Sequence, residues 1–150
     1  MQTFLLFVHV LGAATWFGSS FAATVMSARY RTIDGQAAST FHRAIADLGM
    51  RAQTPAAVVL LITGIFLVLG SDGAYAFESV FVVIGFLTIV VGAVLGSRFF
   101  GPLSTRSAEL HEAGKAGEAG LLQTRLGKIA ILDLALLAFT IAAMVWRWGA

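Results

Sequence analysis

Two apolar stretches of the chain carry side chains that are able to bind a redox-active group. His9 lies near the start of the first stretch, at a depth where a neutral imidazole is a good ligand for haem iron or copper. Met144 is the other soft donor expected at a similar depth, near the end of the last stretch. A His9/Met144 pair is chemically reasonable for haem b or for copper. The alternative is that His9 only hydrogen-bonds to a neighbouring helix.

Asp133 is the one acidic residue deep within the last apolar stretch. It shares a helical stripe with Thr140 and Met144, because these positions are spaced by seven and by four residues, about two turns and one turn of a helix. A carboxylate at this depth pairs with a cation or stays protonated. Arg51 and Arg98 are the best-placed cations. The pattern indicates either a structural ion pair that fixes helix register or a relay for protons or cations.

Two further ring side chains, Trp16 and His111, are weaker candidates for a functional role. Trp16 lies at mid-depth in the first stretch, where it packs in the core of a bundle or stacks on a flat cofactor. Its indole N–H needs an acceptor, either Asp133 or a backbone carbonyl. His111 stands close to Glu109 and Glu112, and we expect it to be a solvated loop residue.

The composition is that of a membrane protein. Hydrophobic residues make up 58% of the chain and charged residues only 12%, against roughly 25% charged in soluble domains. The absence of cysteine excludes disulfides, thiolate metal sites and a cysteine nucleophile. The basic residues flank apolar segments, so they indicate membrane topology rather than binding to nucleic acid. No phosphate-binding loop or zinc motif is present.

Apolar stretches predict four transmembrane helices, over about 4–26, 50–70, 77–99 and 129–148. The second stretch is short if it starts at Pro55, with Thr54 as its cap. Alternatively, the helix runs in from about Leu48 and bends at the proline, which removes a backbone donor. The third span is expected to end at Gly101-Pro102.

Polar segments join the spans. The apolar spacing over 41–52 predicts an amphipathic helix, with Asp34-Gly35 as a turn before it. In the segment 103–128 the glycines at 114, 117 and 120 weaken a helix, so it is expected to be a partly helical, mobile loop.

The basic residues predict the orientation of the spans. Four Lys or Arg lie between spans one and two, and five lie in 98–128, whereas Arg147 alone lies near the opposite ends of the spans. Because basic loops stay on the cytoplasmic side, both loops are expected to be cytoplasmic and both termini outside.

The third span has a face of small residues formed by Gly85, Gly92 and Gly96. Glycines spaced by four allow another helix to approach closely. The partner is either a helix of the same chain or a second copy, which would make a homo-oligomer.

Two segments resemble a known group of proteins. The sequence FVHVLGAATWFGSS, residues 7–20, resembles the first helix of small bacterial four-helix proteins related to copper-resistance protein D. The sequence TPAAVVLLITGIFLVLG, residues 54–70, resembles the second span of the uncharacterised predicted integral membrane proteins in that neighbourhood. The HemJ-type protoporphyrinogen oxidases share the length, the span count and the opening histidine. The resemblance implies a four-helix membrane bundle in which His9 matches the histidine of the family, and an association with haem or copper.

The sequence therefore predicts a single all-α domain over 1–150, a four-helix transmembrane bundle in the lipid bilayer of a bacterial inner membrane. The first functional hypothesis is that it binds haem or copper through His9 in a redox or metal-handling role. The second is a non-catalytic accessory or scaffold protein, and the third is a permeation unit for ions or small solutes formed by oligomerisation.

Overall fold

The computed structural model describes residues 1–30, 32–33 and 35–149 and folds them into four long helices. They are α1 (Gln2–Arg29), α2 (Gly35–Leu69), α3 (Val80–Glu112) and α4 (Ala116–Trp146). No strand occurs among the described residues. The predicted all-α, four-helix class is therefore confirmed, and each predicted span lies largely on one of these helices.

All four helices are long and apolar enough to cross a membrane. The shortest has 28 residues, about 42 Å of helix, against a hydrocarbon core of about 30 Å. Large apolar side chains point away from the bundle; Phe7, Leu87 and Ile131 are 62%, 58% and 61% exposed. An outer surface of this kind suits lipid rather than water. The chain thus belongs to the multi-pass membrane class.

Helix α2 continues through its proline by means of a π-helical turn, Gly49–Gln53. The Gly49 carbonyl accepts the backbone N–H of Thr54 five residues later, and also the Thr54 hydroxyl at 3.1 Å. Proline lacks an N–H and its ring collides with the carbonyl four residues earlier, so a wider turn before Pro55 relieves both problems. Of the two alternatives for the second span, the continuous helix is the one observed.

Helix α3, which runs in the opposite direction to α2, also has a π-helical turn before its proline. Its π-helical turn, Gly96–Phe100, ends with the N–H of Gly101 on the Gly96 carbonyl, directly before Pro102. The expected end of the third span at this glycine–proline pair is wrong, because the wide turn absorbs the proline and the helix runs on to Glu112.

The polar ends of the helices form what we call the basal layer, built from Gly35–Leu48 of α2, Gly101–Glu112 of α3 and the first turns of α4. Ala108 and Ala119 are fully buried in it. The expectation of a mobile loop over 103–128 is wrong, since only a short turn interrupts the helices. Close packing outweighs the cost of the helical glycines, about 1 kcal/mol each. Asp34, part of the turn predicted before α2, lies outside the described residues.

Beyond the basal layer, α1 packs against α2 and α4, and α3 packs against α4. Contacts between the apolar halves of α2 and α3 are few, so a space is left at the centre of the bundle. The opposite end, which holds the connection 70–79, we call the turn end. Residues near both ends of the described chain lie there: Gln2 packs on Gly70, and the Trp148 carbonyl accepts the Phe81 N–H at 3.1 Å.

The glycine face of α3 is used largely within the chain. A Cβ at Gly92 would fall on the Trp16 ring, and a Cβ at Gly85 would meet the Met144 methyl group. These two glycines therefore let the side chains of α1 and α4 approach the backbone of α3. At Gly96, no described heavy atom lies within 4 Å of the Cβ position.

Candidate functional site

A cavity of about 870 Å³ occupies the turn-end half of the bundle and is lined by all four helices. We call it the central cavity. Buried Trp16, Leu60 and Leu137 line one side of it, which we call the floor, and Tyr75 and Arg147 line it at the turn end, which we call the mouth. Ligand pockets in proteins typically measure roughly 300–1,000 Å³ and are mostly apolar with a few polar groups. The size and lining fit a ligand-binding site.

The three residues predicted to bind a cofactor meet in this cavity. His9, Trp16 and Met144 all line it, although they come from two helices at opposite ends of the sequence. The cavity also contains small residues of α2 and α3, Gly64 and Gly85, opposite these side chains. The sequence-based candidates thus share one space.

The orientation of His9 is set by Thr63 on α2. His9 Nδ1 lies 2.8 Å from Thr63 Oγ1, and Thr63 is buried, with 5% of its surface exposed. The Thr63 hydroxyl is also 2.6 Å from the Val59 carbonyl. When it donates its proton there, it accepts from the histidine, and His9 then carries its proton on Nδ1.

The remaining nitrogen of His9 is chemically available. With the proton on Nδ1, Nε2 has its lone pair. The hydrogen bonds of the ring run to Thr63 and to the Leu60 backbone, both on α2. The ring lies against Gly64, where an added Cβ would sit 3.5 Å from His9 Cε1. A neutral imidazole whose Nδ1–H is held by a neighbouring acceptor is the arrangement found in metal-ligating histidines.

The floor and the opposite wall are packed rather than polar. Trp16 is 5% exposed and belongs to a cluster with Ala56, Leu60 and Leu137. The expected hydrogen bond from its indole to Asp133 is absent among the described residues. Met144 lies in the wall formed by α4, with its methyl group next to α3.

Two threonines add a second hydrogen bond between helices at the cavity wall. Thr88 Oγ1 and Thr140 Oγ1 are 2.6 Å apart and join α3 to α4. Each also lies at bonding distance from a carbonyl of its own helix, Ile84 or Leu136, at 2.9 Å. One hydroxyl proton thus links the helices and the other returns to the backbone, so these groups stabilise the bundle.

The charged residues predicted to form a relay are not brought together. Asp133 is buried, 5% exposed, one helical turn below Leu137, and no described side chain pairs with it. Arg51 instead donates to Asp47 at 2.7 Å on the surface of α2. Arg98 lies in the π turn of α3 and makes no ion pair with a described residue. None of the three lines the central cavity.

Sequence reasoning missed a polar cluster in the basal layer. His42 and His111 stack with ring centroids 5.7 Å apart and planes 9° from parallel. Their Nε2 atoms lie 2.9 and 3.0 Å from Nε2 of Gln123 on α4, which bridges them. His111 is 5% exposed, so its expected place in a solvated loop is wrong. The signal in the sequence was the position of His42 on the predicted amphipathic helix, one turn after Ala38 and on the same face.

Charge is balanced at the edge of this cluster. Glu112 Oε1 accepts a hydrogen bond from the Ser39 hydroxyl at 2.6 Å and from Arg43 at 3.0 Å. These bonds, that of Ser39 foremost, lower the pKa of Glu112 below 4.5. Burial, and secondarily the charge of His111, lowers the pKa of His42 below 6.5. The neutral imidazole is therefore the form that fits the basal layer.

The donors available for a bare metal ion are few. The described residues contain no group of three or more His, Asp or Glu side chains placed to hold a metal. Comparisons with protein-family models, curated proteins and solved structures find no match to this chain.

Proposed function

We propose that the protein binds haem, or a closely related metal tetrapyrrole, in the central cavity, with His9 Nε2 as an axial ligand. The observation that carries this proposal is the position of His9, which lines the cavity while its Nδ1 lies 2.8 Å from Thr63 Oγ1 on the neighbouring helix. When Thr63 donates to Val59, Nδ1 carries the proton and Nε2 keeps its lone pair for a ligand. A polar side chain inside a membrane span costs free energy, so a histidine that lines a cavity at this depth supports a ligand-binding role.

The donor set favours haem over copper. A copper ion takes several protein ligands, usually histidine, cysteine or methionine. The central cavity offers His9 and Met144, and no larger group of ligating side chains occurs among the described residues. A tetrapyrrole supplies four ligands of its own, so one or two protein ligands are sufficient. When bound, haem supplies one-electron chemistry.

The remaining lining suits a large, flat and mostly apolar body. The floor of the cavity is aliphatic and aromatic, and Trp16 is held in place because Gly92 gives its ring room. Met144 is the side chain that could serve as the second axial ligand from α4. Burial of an apolar macrocycle among these groups contributes favourable free energy in proportion to the area removed from water.

We also propose that the bundle lies in a bacterial plasma membrane with the basal layer in the cytoplasm. Nine of the ten Lys and Arg belong to segments 27–53 and 98–128. A bias of this size supports that orientation through the positive-inside rule. The central cavity then opens toward the outer surface.

Haem titration of the detergent-purified protein tests the proposal. Added haem is expected to give a Soret band with one-to-one stoichiometry in the wild type and a weak, shifted band in His9→Ala. His42→Gln is the matched control, because this histidine lies in the basal layer away from the cavity. Met144→Leu is expected to retain binding with an altered spectrum.

Two results would overturn the proposal. One is a wild-type protein that forms no Soret band when haem is supplied. The other is a His9→Ala variant that binds haem with the affinity and spectrum of the wild type. Copper analysis on the same samples decides between haem and the less favoured metal.

A further inference from the structure

The mouth of the central cavity holds a cation that the haem proposal leaves unused. The Arg147 guanidinium carbon lies 5.6 Å from the centre of the Tyr75 ring, and both residues line the cavity. Tyr75 is in turn packed edge-on against Phe81 at the start of α3. The arginine therefore rests on an aromatic platform at the point where the cavity opens.

The backbone holds Arg147 in this place. It is the residue after the last turn of α4, with φ 50° and ψ 50°, a left-handed conformation usually left to glycine. The reversal lets the Trp148 carbonyl accept the N–H of Phe81 at 3.1 Å, which ties the end of α4 to the start of α3. As a result, Arg147 turns toward the cavity mouth and Tyr75.

No carboxylate of the described residues neutralises this arginine. Asp72 and Glu78 are at the same end of the bundle, yet neither lies within ion-pair distance of Arg147. Packing on an aromatic face engages the flat side of a guanidinium and leaves its N–H groups in the plane available. Two of those groups match the two oxygens of a carboxylate.

We infer that the ligand of the central cavity is an amphipathic acid whose carboxylate binds Arg147 while its apolar body lies between the four helices. The inference rests on the proposed function and adds an orientation to it. If the ligand is haem, Arg147 would hold a propionate carboxylate, and Trp16 would contact the apolar part of the macrocycle. Arg147 is a binding residue for the acid group and leaves iron ligation to His9.

Haem and haem dimethyl ester distinguish the acid group from the macrocycle. Both are titrated into the detergent-purified wild type, Arg147→Gln and Arg125→Gln, with the Soret band as readout. Arg125 is the matched control, an exposed arginine at the other end of α4. The wild type and the control are expected to bind haem about 10- to 100-fold more tightly than the ester, the size of a charge-assisted hydrogen bond. Arg147→Gln is expected to lose this preference and to keep the position of the Soret band.

Three other outcomes overturn the inference or its basis. If the wild type binds haem and its ester equally, Arg147 does not recognise the acid group, and the haem proposal survives. If Arg147→Gln weakens both ligands by the same factor, its effect is structural. If neither ligand gives a Soret band with the wild type, the proposed function itself fails. Thermal unfolding of each variant shows whether the comparison is made on folded protein.

Discussion

Replacing Thr63 with valine should weaken haem binding although valine never touches the ligand. The substitution keeps the branched shape and removes the hydroxyl that accepts His9 Nδ1–H at 2.8 Å. The Leu60 backbone remains as a hydrogen-bond partner of the ring, so the loss is that of one hydrogen bond, about 0.5–1.5 kcal/mol. At about 1.4 kcal/mol for each factor of ten, the expected loss is roughly 2- to 12-fold in haem affinity. Partners that hold metal-ligating histidines typically contribute about 10- to 100-fold.

The titration that tests Thr63→Val follows the Soret band in detergent, with two controls. Thr63→Ser retains the hydroxyl and should bind haem like the wild type. Thr88→Val removes a hydroxyl that lines the same cavity but bonds to Thr140, so it should affect the melting temperature more than haem affinity. The reasoning is refuted if Thr63→Val binds haem as tightly as the wild type while His9→Ala does not.

Three further predictions concern the bundle and the basal layer. Gly92→Ala should destabilise the fold by about 1–3 kcal/mol and so lower the melting temperature, because its Cβ would enter the Trp16 ring. Gly96→Ala should be neutral or stabilising. Equal effects of the two substitutions would contradict this packing. Because the pKa of His42 is lowered on folding, the unfolded chain binds its proton first, so stability should fall as the pH drops through 6.5 toward 5. Thermal unfolding of His42→Gln should show a smaller fall, and an identical fall would assign the effect to other groups. Asp133→Asn should leave the melting temperature unchanged or raised, since no described cation pairs with the carboxylate and a neutral amide costs less to bury; a marked drop would reveal a partner.

Much of the fold could be predicted from the sequence because the lipid solvent imposes a simple rule. A span needs about 20 apolar residues, and the chain has four stretches that approach or exceed this length. Pro102 misled the prediction of the third span. Gly101-Pro102 resembles a helix end, and nothing in the residues alone reveals that a π-helical turn will carry the helix past Pro102. The basal layer was missed because glycine-rich polar segments resemble loops until their packing partners are known.

The site was predictable only in part, for a related reason. His9 and Met144 stand out because soft or ionisable groups are rare inside a membrane span. Thr63 does not stand out, because a threonine in a membrane helix commonly bonds the carbonyl one turn back, as it also does here. Its second role appears only when α1 is placed against α2. Of the two alternatives for Asp133, the pairing with a cation is not observed among the described residues, and Arg51 instead pairs with Asp47 on its own helix.

Each π-helical turn holds one residue more than an α-helical turn would, and this extra residue sets the rotational phase between the two halves of the helix. Removing one residue from Gly49–Gln53 would let α2 form regular hydrogen bonds, but it would rotate the preceding half by about 100° and draw it in by about 1.5 Å. His42 would then leave the face that meets His111 and Gln123, while the His9–Thr63 contact on the far side of the turn would stay in register. The π-helical turn thus sets the rotation of the membrane half of α2 relative to its basal half. A change of one residue in this turn would alter that rotation without lengthening a loop.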